Sequence, residues 1–189
     1  MIKHWTKMEY LFSGNPTQVE VFHLLEKHRL LSILDTYHPL LVGTIPIGIH
    51  INSSDLDIIC EVYDFEQFER LVHLNFCEFP EFAVKRKSIQ GIDIIKANFM
   101  CDGWPVEIFG QSIATTDQNG YKHMIIEHRM MCMYGEKFKE QVIQLKNHGV
   151  KTEPAFATLL NLEGDPYASM LELYHWTDTE LATLWAAKG

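Results

Sequence analysis

Two aspartates separated by one residue, Asp55 and Asp57, are the strongest candidates for chemistry in this sequence. They stand at the start of an apolar run, and side chains on a strand alternate between its faces, so both carboxylates project from the same face. Two carboxylates held together are costly unless a cation binds them, and hard oxygen ligands suit Mg²⁺ or Mn²⁺. The simpler alternative is a solvated strand end, because aspartate often punctuates strand termini and turns.

A glycine followed by a hydroxyl side chain, Gly43-Thr44, precedes the aspartates, and ten residues separate Thr44 from Asp55. Gly43 ends a short apolar run over residues 39–43 and lets the backbone approach a bulky anion, while Thr44 adds a hydroxyl group. The predicted order is a strand, a glycine-hydroxyl turn, and a second strand that carries both acids. This order predicts a combined metal and phosphate site.

The pattern Gly43-Thr44, ten residues, Asp55-Leu56-Asp57-Ile58 resembles the signature of the nucleotidyltransferase superfamily typified by DNA polymerase beta. That signature has a hydrophobic residue, Gly, Gly or Ser, a spacer of about nine to thirteen residues, and then Asp, a hydrophobic residue, Asp or Glu. Thr44 departs from it. The resemblance covers residues 39–110, and residues 43–49 are also similar to the glycine-proline turn of the GrpB-like branch of small bacterial proteins.

The resemblance implies a third carboxylate from a later strand, and Glu107, flanked by apolar residues, is the candidate. The structural alternative for Glu107 is an edge-strand acid that faces solvent. The implied activity is two-metal nucleotidyl transfer, with Asp55, Asp57 and Glu107 as catalytic residues and as ligands of Mg²⁺ or Mn²⁺. Gly43 and Thr44 would hold the phosphates of a nucleoside triphosphate.

Lys85 and Arg129 are the candidate cationic partners of a triphosphate. Lys85 and Lys87 alternate on a predicted strand and so share a face, although edge-strand lysines that prevent aggregation are the simpler explanation. Arg129 offers a bidentate fork for phosphate, and Lys122 is the alternative to it. The sequence does not place either residue.

His123 and Glu127 are four residues apart in a predicted helix but match no zinc motif, so we expect an ordinary pair on the helix surface. A methionine stripe in the same region is predicted to pack in the core, with partner binding as the alternative. Its members are Met124, Met130, Met131 and Met133.

The periodicity predicts an α/β (α+β) fold in two parts: a nucleotidyltransferase-like mixed-sheet core flanked by helices over residues 1–118, and a helical C-terminal part over residues 119–189. Predicted helices cover residues 15–34, 65–75, 121–134, 136–147, 154–162 and 166–176, with one more after residue 178. Predicted strands cover residues 39–43, 56–62, 83–89, 92–99 and 104–109, the third and fourth forming a hairpin around Gln90-Gly91.

The chain has 189 residues and a net charge of −9, so we do not expect nucleic acid as a partner, because duplex binding needs a basic surface. The four cysteines lack C-x-x-C spacing, which predicts reduced thiols rather than a zinc or disulfide framework. Neither an apolar leader nor a membrane span is evident, and we expect a cytoplasmic protein.

Together these observations predict transfer of a nucleoside monophosphate from a nucleoside triphosphate to a hydroxyl of a small molecule or protein. The first alternative is a catalytically inactive module of the same fold that binds or regulates. The second is an interaction protein that docks a partner through its methionine-rich helical part. Homo-oligomerisation is left open.

Overall fold

The computed structural model describes residues 5–89 and 91–186, and for residues 89 and 186 it describes the backbone only. Gln90 of the predicted hairpin turn and residues 1–4 and 187–189 of the predicted domains lie outside the described residues. The chain divides into two compact units. The sheet unit comprises Met1–Gly48 and Ser54–Gln118, and the helical unit comprises Ile49–Ser53 and Asn119–Gly189.

The elements follow one another in an order that alternates first and then becomes purely helical. The helices are α1 Glu9–Phe12, α2 Pro16–Lys27, α3 Leu30–Ile33, α4 Thr44–Ile47, α5 Phe65–Phe76, α6 Asn119–Asn147, α7 Thr152–Leu160, α8 Pro166–Tyr174 and α9 Asp178–Ala186. The strands are β1 Leu40–Val42, β2 Leu56–Glu61, β3 Ala83–Ile89, β4 Ile92–Cys101 and β5 Trp104–Gln111.

The five strands form one mixed sheet in the order β1-β2-β5-β4-β3. Strands β2 and β5 are parallel, and the other neighbouring pairs are antiparallel. Since β5 lies at the centre of the sheet, the edge-strand alternative for Glu107 is wrong. Lys85 lies on β3, which is an edge strand as expected.

Side chains alternate along most of the inner strands, and the exceptions are Ile59 of β2 and Ile94 of β4, which are buried on the face opposite Ile58 and Ala97. The face that carries Ile58, Ile108 and Ala97 is fully buried, and it packs in one core with apolar residues of α2 and α5. The opposite face carries the polar residues of β2, β5 and β4, which are partly buried. A sheet that packs its helices on one face produces this pattern, and the other face, called the open face here, keeps its polar side chains partly accessible.

Two of the helices in the sheet unit begin at side-chain caps that the sequence indicates. The Asp64 carboxylate accepts a hydrogen bond from the Gln67 backbone N–H at 2.9 Å at the start of α5. Asn15 and Gln18 form a reciprocal capping box at the start of α2. The predicted helix over residues 15–34 is wrong in one respect, because it is broken where Arg29 adopts a left-handed conformation, with φ of 54°.

In the helical unit, α6 contains a break at the position that separates the two predicted helices. Gly135 has φ of 78° and ψ of −174°, which are not helical values. Phe138 of α6 packs against Phe156 of α7 with ring centroids 5.4 Å apart. Met124, Met130 and Met131 are buried, which confirms their predicted packing role. None of the described helices is long and apolar enough to cross a membrane.

Gln18 connects α2 to the segment that follows Gly43. Its side chain is 5% exposed, and Nε2 donates hydrogen bonds to the carbonyl oxygens of Ile45 at 2.8 Å and Pro46 at 3.0 Å. These carbonyls belong to α4, a helix of one turn that cannot satisfy them internally. Gln18 therefore holds α4, and with it the glycine-hydroxyl turn at the start of α4, against α2.

We expect Gln18→Leu to lower the free energy of unfolding by about 1–3 kcal/mol, because it leaves two buried carbonyls without a donor. Urea unfolding measures this change. Gln67→Leu is the matched control, since Gln67 occupies the same third position of α5 but is exposed, and its loss should stay within about 0.5 kcal/mol. Equal losses in the two variants would contradict the positioning role of Gln18.

Candidate functional site

The acidic residues of the candidate site lie on the open face of the sheet. Asp57 of β2 and Glu107 of β5 are direct register partners, and neighbouring strands are about 4.8 Å apart. Both side chains are partly buried, whereas Asp55, just before β2, is exposed. The structure thus brings Asp57 and Glu107 side by side, although they are far apart in the sequence.

Asp55 and Glu107 also line one pocket on this face, together with Glu81, Asn98 and Met100. Its volume is about 100 Å³, which is small beside the roughly 300–1,000 Å³ typical of sites for drug-sized ligands. The pocket therefore has room for a group the size of a phosphate or a sugar rather than for a drug-sized ligand.

Gly43 packs its backbone directly against the Asp57 carboxylate. A Cβ atom at position 43 would lie 2.7 Å from Asp57 Oδ2, closer than real Cβ contacts, and Gly43 has φ of +79°. Thr44 follows at once, and its Oγ1 lies 3.2 Å from the Ser54 hydroxyl, which immediately precedes Asp55. The glycine-hydroxyl turn and the two aspartates are thus contiguous, as the sequence predicts.

Glu107 forms an ion pair with Lys96 of β4. Asn98 lies opposite Glu107 in the register and donates to Glu107 Oε2 through Nδ2 at 3.5 Å, the limit for a hydrogen bond. The Lys96 side chain is 43% exposed and that of Glu107 is 22% exposed, so we expect this pair to contribute about 0–1 kcal/mol. A ligand cation that competes for Glu107 therefore displaces Lys96 at little cost.

Lys85 lies on the same face as the acids. It is the register partner of Lys96, so the two lysines lie on adjacent strands, and the Lys96 ammonium group is the one that contacts Glu107. The cationic side of the site therefore lies towards β3, on the far side of the acids from Gly43.

Arg129 belongs to the helical unit, where it holds the segment between α8 and α9. Its guanidinium donates to the Tyr174 carbonyl at 3.1 Å, to the Trp176 carbonyl at 2.7 Å and to Asp178 Oδ1 at 2.7 Å. These contacts give Arg129 a structural role within its own unit. Its predicted role in nucleotide binding remains a prediction.

The helical unit contains a second polar cluster, and here the expectation of a surface pair is wrong. His123 is 8% exposed and Glu127 is 3% exposed, because α7 covers this face of α6 and contributes Glu153. Burial raises the pKa of Glu127 well above its usual range; Glu153 adds to the rise and Lys146 opposes it. Among the described residues, His123, Glu127 and Glu153 form a group whose potential ligand atoms all lie within 4.8 Å of one another, and the three sheet acids do not.

Lys96, Asn98 and Glu81 are residues of this face and its pocket that were not predicted from the sequence. A signal for the first two existed, because the hairpin around Gly91 pairs Lys85 with Lys96 by simple counting and the period of two then puts Asn98 on the same face. Glu81 precedes β3 in a left-handed conformation, with φ of 59°, and no local pattern indicated it.

Comparison with known proteins identifies a family and a fold. Residues 23–173 match the family model described as Domain of unknown function (DUF4269). None of the curated proteins matches the sequence significantly.

Among solved structures, the fold is similar to that of Cid1, which is described as having RNA terminal uridylyl transferase activity. The match covers 86% of this chain and 52% of the Cid1 chain, with a TM-score of 0.54 and 11% sequence identity. Cid1 poly(U) polymerase with MgGTP bound matches 89% of this chain and 55% of its own, with a TM-score of 0.53 and 12% identity. The chain therefore spans about half the length of these proteins. At such identities the likeness shows the fold alone, and this fold is the nucleotidyltransferase-like one.

The contact between Gly43 and Asp57 predicts a coupling that unfolding experiments can measure. Gly43→Ala adds backbone strain of about 1–3 kcal/mol and also pushes the new methyl group into the carboxylate. In an Asp57→Ala background we expect the second contribution to disappear, so the two substitutions should be non-additive by at least about 0.5 kcal/mol in urea unfolding.

Gly91→Ala is the control, because Gly91 has the same φ of +79° but nothing within 4 Å of the added Cβ. Its cost should be the same with and without Asp57. Additive energies for Gly43→Ala and Asp57→Ala would mean that the close approach of Gly43 is not a constraint on Asp57.

Proposed function

The chain belongs to the DUF4269 family, and we propose that it is a Mg²⁺-dependent nucleotidyltransferase that transfers a nucleoside monophosphate from a nucleoside triphosphate to a hydroxyl group. The observation that carries the proposal is the β2–β5 register, which pairs Asp57 with Glu107 beside the backbone of Gly43. The shared fold supports it. The similarity of residues 43–49 to the GrpB-like branch remains a prediction.

Asp57 and Glu107 are placed to bind a divalent cation, although the three sheet acids do not together form a ligand group in this structure. Asp57 and Glu107 are adjacent carboxylates on one face, Asp55 lies two residues from Asp57, and Gly43, which has no Cβ, lets Asp57 Oδ2 approach its backbone. Oxygen ligands of this kind are those that Mg²⁺ and Mn²⁺ prefer. When bound there, the cation would neutralise charge on the α-phosphoryl group and lower the pKa of the acceptor hydroxyl.

The protein's own groups have separate tasks in this proposal. The Gly43 backbone N–H and the Thr44 hydroxyl would hold the β- and γ-phosphates. Glu107 would orient the acceptor hydroxyl and take its proton as the acceptor oxygen attacks the α-phosphorus and pyrophosphate leaves. Lys85 and Lys96, on the side of the acids away from Gly43, would attract the anionic part of a substrate.

We propose a small molecule or a protein as the acceptor. The net charge of −9 supports this choice, because it opposes association with a polynucleotide. Cid1 is described as having RNA terminal uridylyl transferase activity, so an RNA acceptor is the alternative that the experiment must include. If the protein transfers nucleotide to a short RNA but not to other hydroxyl acceptors, our choice of acceptor is wrong, whereas the proposal of nucleotidyl transfer stands.

A catalytically inactive binding module is the second candidate, and the Lys96–Glu107 ion pair favours it. In this candidate the Lys96 ammonium group stays paired with Glu107 when nucleotide binds, so Glu107 is structural and nucleotide binding is the whole function. Release of pyrophosphate distinguishes the two candidates.

We expect nucleoside triphosphate to raise the melting temperature only when Mg²⁺ or Mn²⁺ is present. A nucleotide at about ten times its Kd stabilises the folded state by about 1.4 kcal/mol, which corresponds to about 3–6 °C for a chain of this size. Asp57→Asn should abolish this rise and leave the melting temperature of the free protein unchanged or slightly higher, because one of two like charges is removed.

Asp93→Asn is the matched control, because Asp93 is an exposed aspartate of the same sheet on β4 and should keep the full nucleotide effect. If Asp57→Asn retains a metal-dependent rise, nucleotide does not bind at Asp57. If the free Asp57→Asn protein melts far below the wild type, Asp57 is a structural residue.

Glu107→Gln should leave the nucleotide-dependent rise in place, because Asp55 and Asp57 would hold the cation that accompanies the nucleotide. It should lower the rate of pyrophosphate release by at least about 100-fold, because the group that accepts the proton is lost. Glu26→Gln, an exposed glutamate of α2, should leave the rate unchanged. An undiminished rate in Glu107→Gln would remove Glu107 from the mechanism. Binding without release in the wild type, across nucleotides and acceptors, would support the inactive module.

A further inference from the structure

The buried polar cluster of the helical unit consists of His123, Glu127 and Glu153, and its geometry is that of a ligand set. One potential ligand atom from each residue lies within 4.8 Å of the other two. His123 and Glu127 are nine-tenths or more buried, whereas Glu153 is partly exposed and connects the cluster to solvent. This cluster is independent of the acids of the sheet and of the activity proposed for them.

The helices explain why these three side chains meet. His123 and Glu127 are four residues apart in the first half of α6, before the break at Gly135, so they lie one above the other on the same helix face. Glu153 is the second residue of α7, the helix whose Phe156 packs against Phe138 of α6. Two adjacent ligands on one helix and a third at the start of the next form a site that folding itself assembles.

His123 Nδ1 is a buried nitrogen without a hydrogen-bond partner among the described residues. The only aromatic contact of its ring that the structure describes is with Tyr167, edge to face, with centroids 6.1 Å apart. A buried polar atom left unpaired costs about 1–3 kcal/mol, and most such atoms in folded proteins are satisfied. His123 Nδ1 is thus an unsatisfied polar atom on a ring that belongs to the same cluster as two carboxylates, and a metal ion bound to this nitrogen would satisfy it.

The charges of the cluster are also those of a cation site. Glu127 and Glu153 contribute two carboxylates, and the buried Lys146 is the cationic side chain that acts on Glu127. Lys146 can only donate hydrogen bonds, and it does not donate one to His123 Nδ1, which has no hydrogen-bond partner among the described residues. A bound cation would satisfy both carboxylates and His123 at once.

We propose that His123, Glu127 and Glu153 bind a divalent transition metal ion, with Zn²⁺ as the best match. Imidazole nitrogen together with carboxylate oxygen suits Zn²⁺ better than Mg²⁺. Ligands bonded to Zn²⁺ at about 2.0–2.1 Å are about 3.4 Å apart, so the present separations of up to 4.8 Å need only side-chain adjustments to close. Three protein ligands leave a fourth coordination position open.

The test measures Zn²⁺ and Co²⁺ binding to the full-length protein after removal of metal with a chelator. We expect one Co²⁺ ion per chain, seen by its visible absorption, to be displaced by Zn²⁺, and Zn²⁺ to raise the melting temperature. His123→Gln and Glu153→Gln should each weaken Zn²⁺ binding by at least about 100-fold, as expected when a ligand is removed. Glu153→Gln carries the test if His123→Gln does not fold, because Glu153 is partly exposed.

Two controls separate this site from other zinc-binding groups. His128→Gln alters the exposed pair on the same helix, in which the Cys132 sulfur lies 3.6 Å from His128 Nε2, and it should retain the bound ion. Asp57→Asn should retain it too, since it affects only the sheet. The proposal is overturned if the wild type binds no stoichiometric ion, if both ligand variants bind like the wild type, or if His128→Gln abolishes binding.

Discussion

The register between β2 and β5 is the constraint on which the sheet site depends. Ile58 and Ile108 are register partners on the buried face, while Asp57 and Glu107 are partners on the open face. A slip of one residue would bring the isoleucines to the open face and bury a carboxylate, which costs several kcal/mol. Burial of apolar side chains on one face therefore holds two like charges together on the other.

This forced proximity explains the two features that surround the acids. Lys96 reduces the repulsion by pairing with Glu107, and because the pair is partly exposed it contributes little and can be exchanged for another cation. Gly43 lacks the side-chain atoms that would collide with the Asp57 carboxylate. Gln18 of α2 holds the turn that follows Gly43 through its hydrogen bonds to carbonyl groups of α4. The two carboxylates therefore favour a bound cation, and without one the Lys96 ammonium group offsets part of their negative charge.

The order and type of the longer elements could be predicted from the sequence because they depend on local signals, such as the Asp64 cap and the break at Gly135. The one-turn helices α1 and α4 were not predicted. Strand order could not, because it depends on long-range pairing. Glu107 has the same local pattern in a central strand as in an edge strand, so only the pairing of β5 with both β2 and β4 distinguishes the two. The position of Lys96 could be predicted from the hairpin register, but its contact with Glu107 depends on the β4–β5 pairing as well.

His123 and Glu127 show the same limit in a helix. Their spacing is identical for an exposed pair and for a buried one, and the difference is made by α7, which covers them and adds Glu153. Ligand chemistry then separates the two clusters of this chain. The sheet offers only oxygen ligands, which favour Mg²⁺ or Mn²⁺, whereas the helical unit adds an imidazole nitrogen, which favours Zn²⁺. Because the ligand sets differ in kind, the two proposed sites would differ in the metal ion that they prefer.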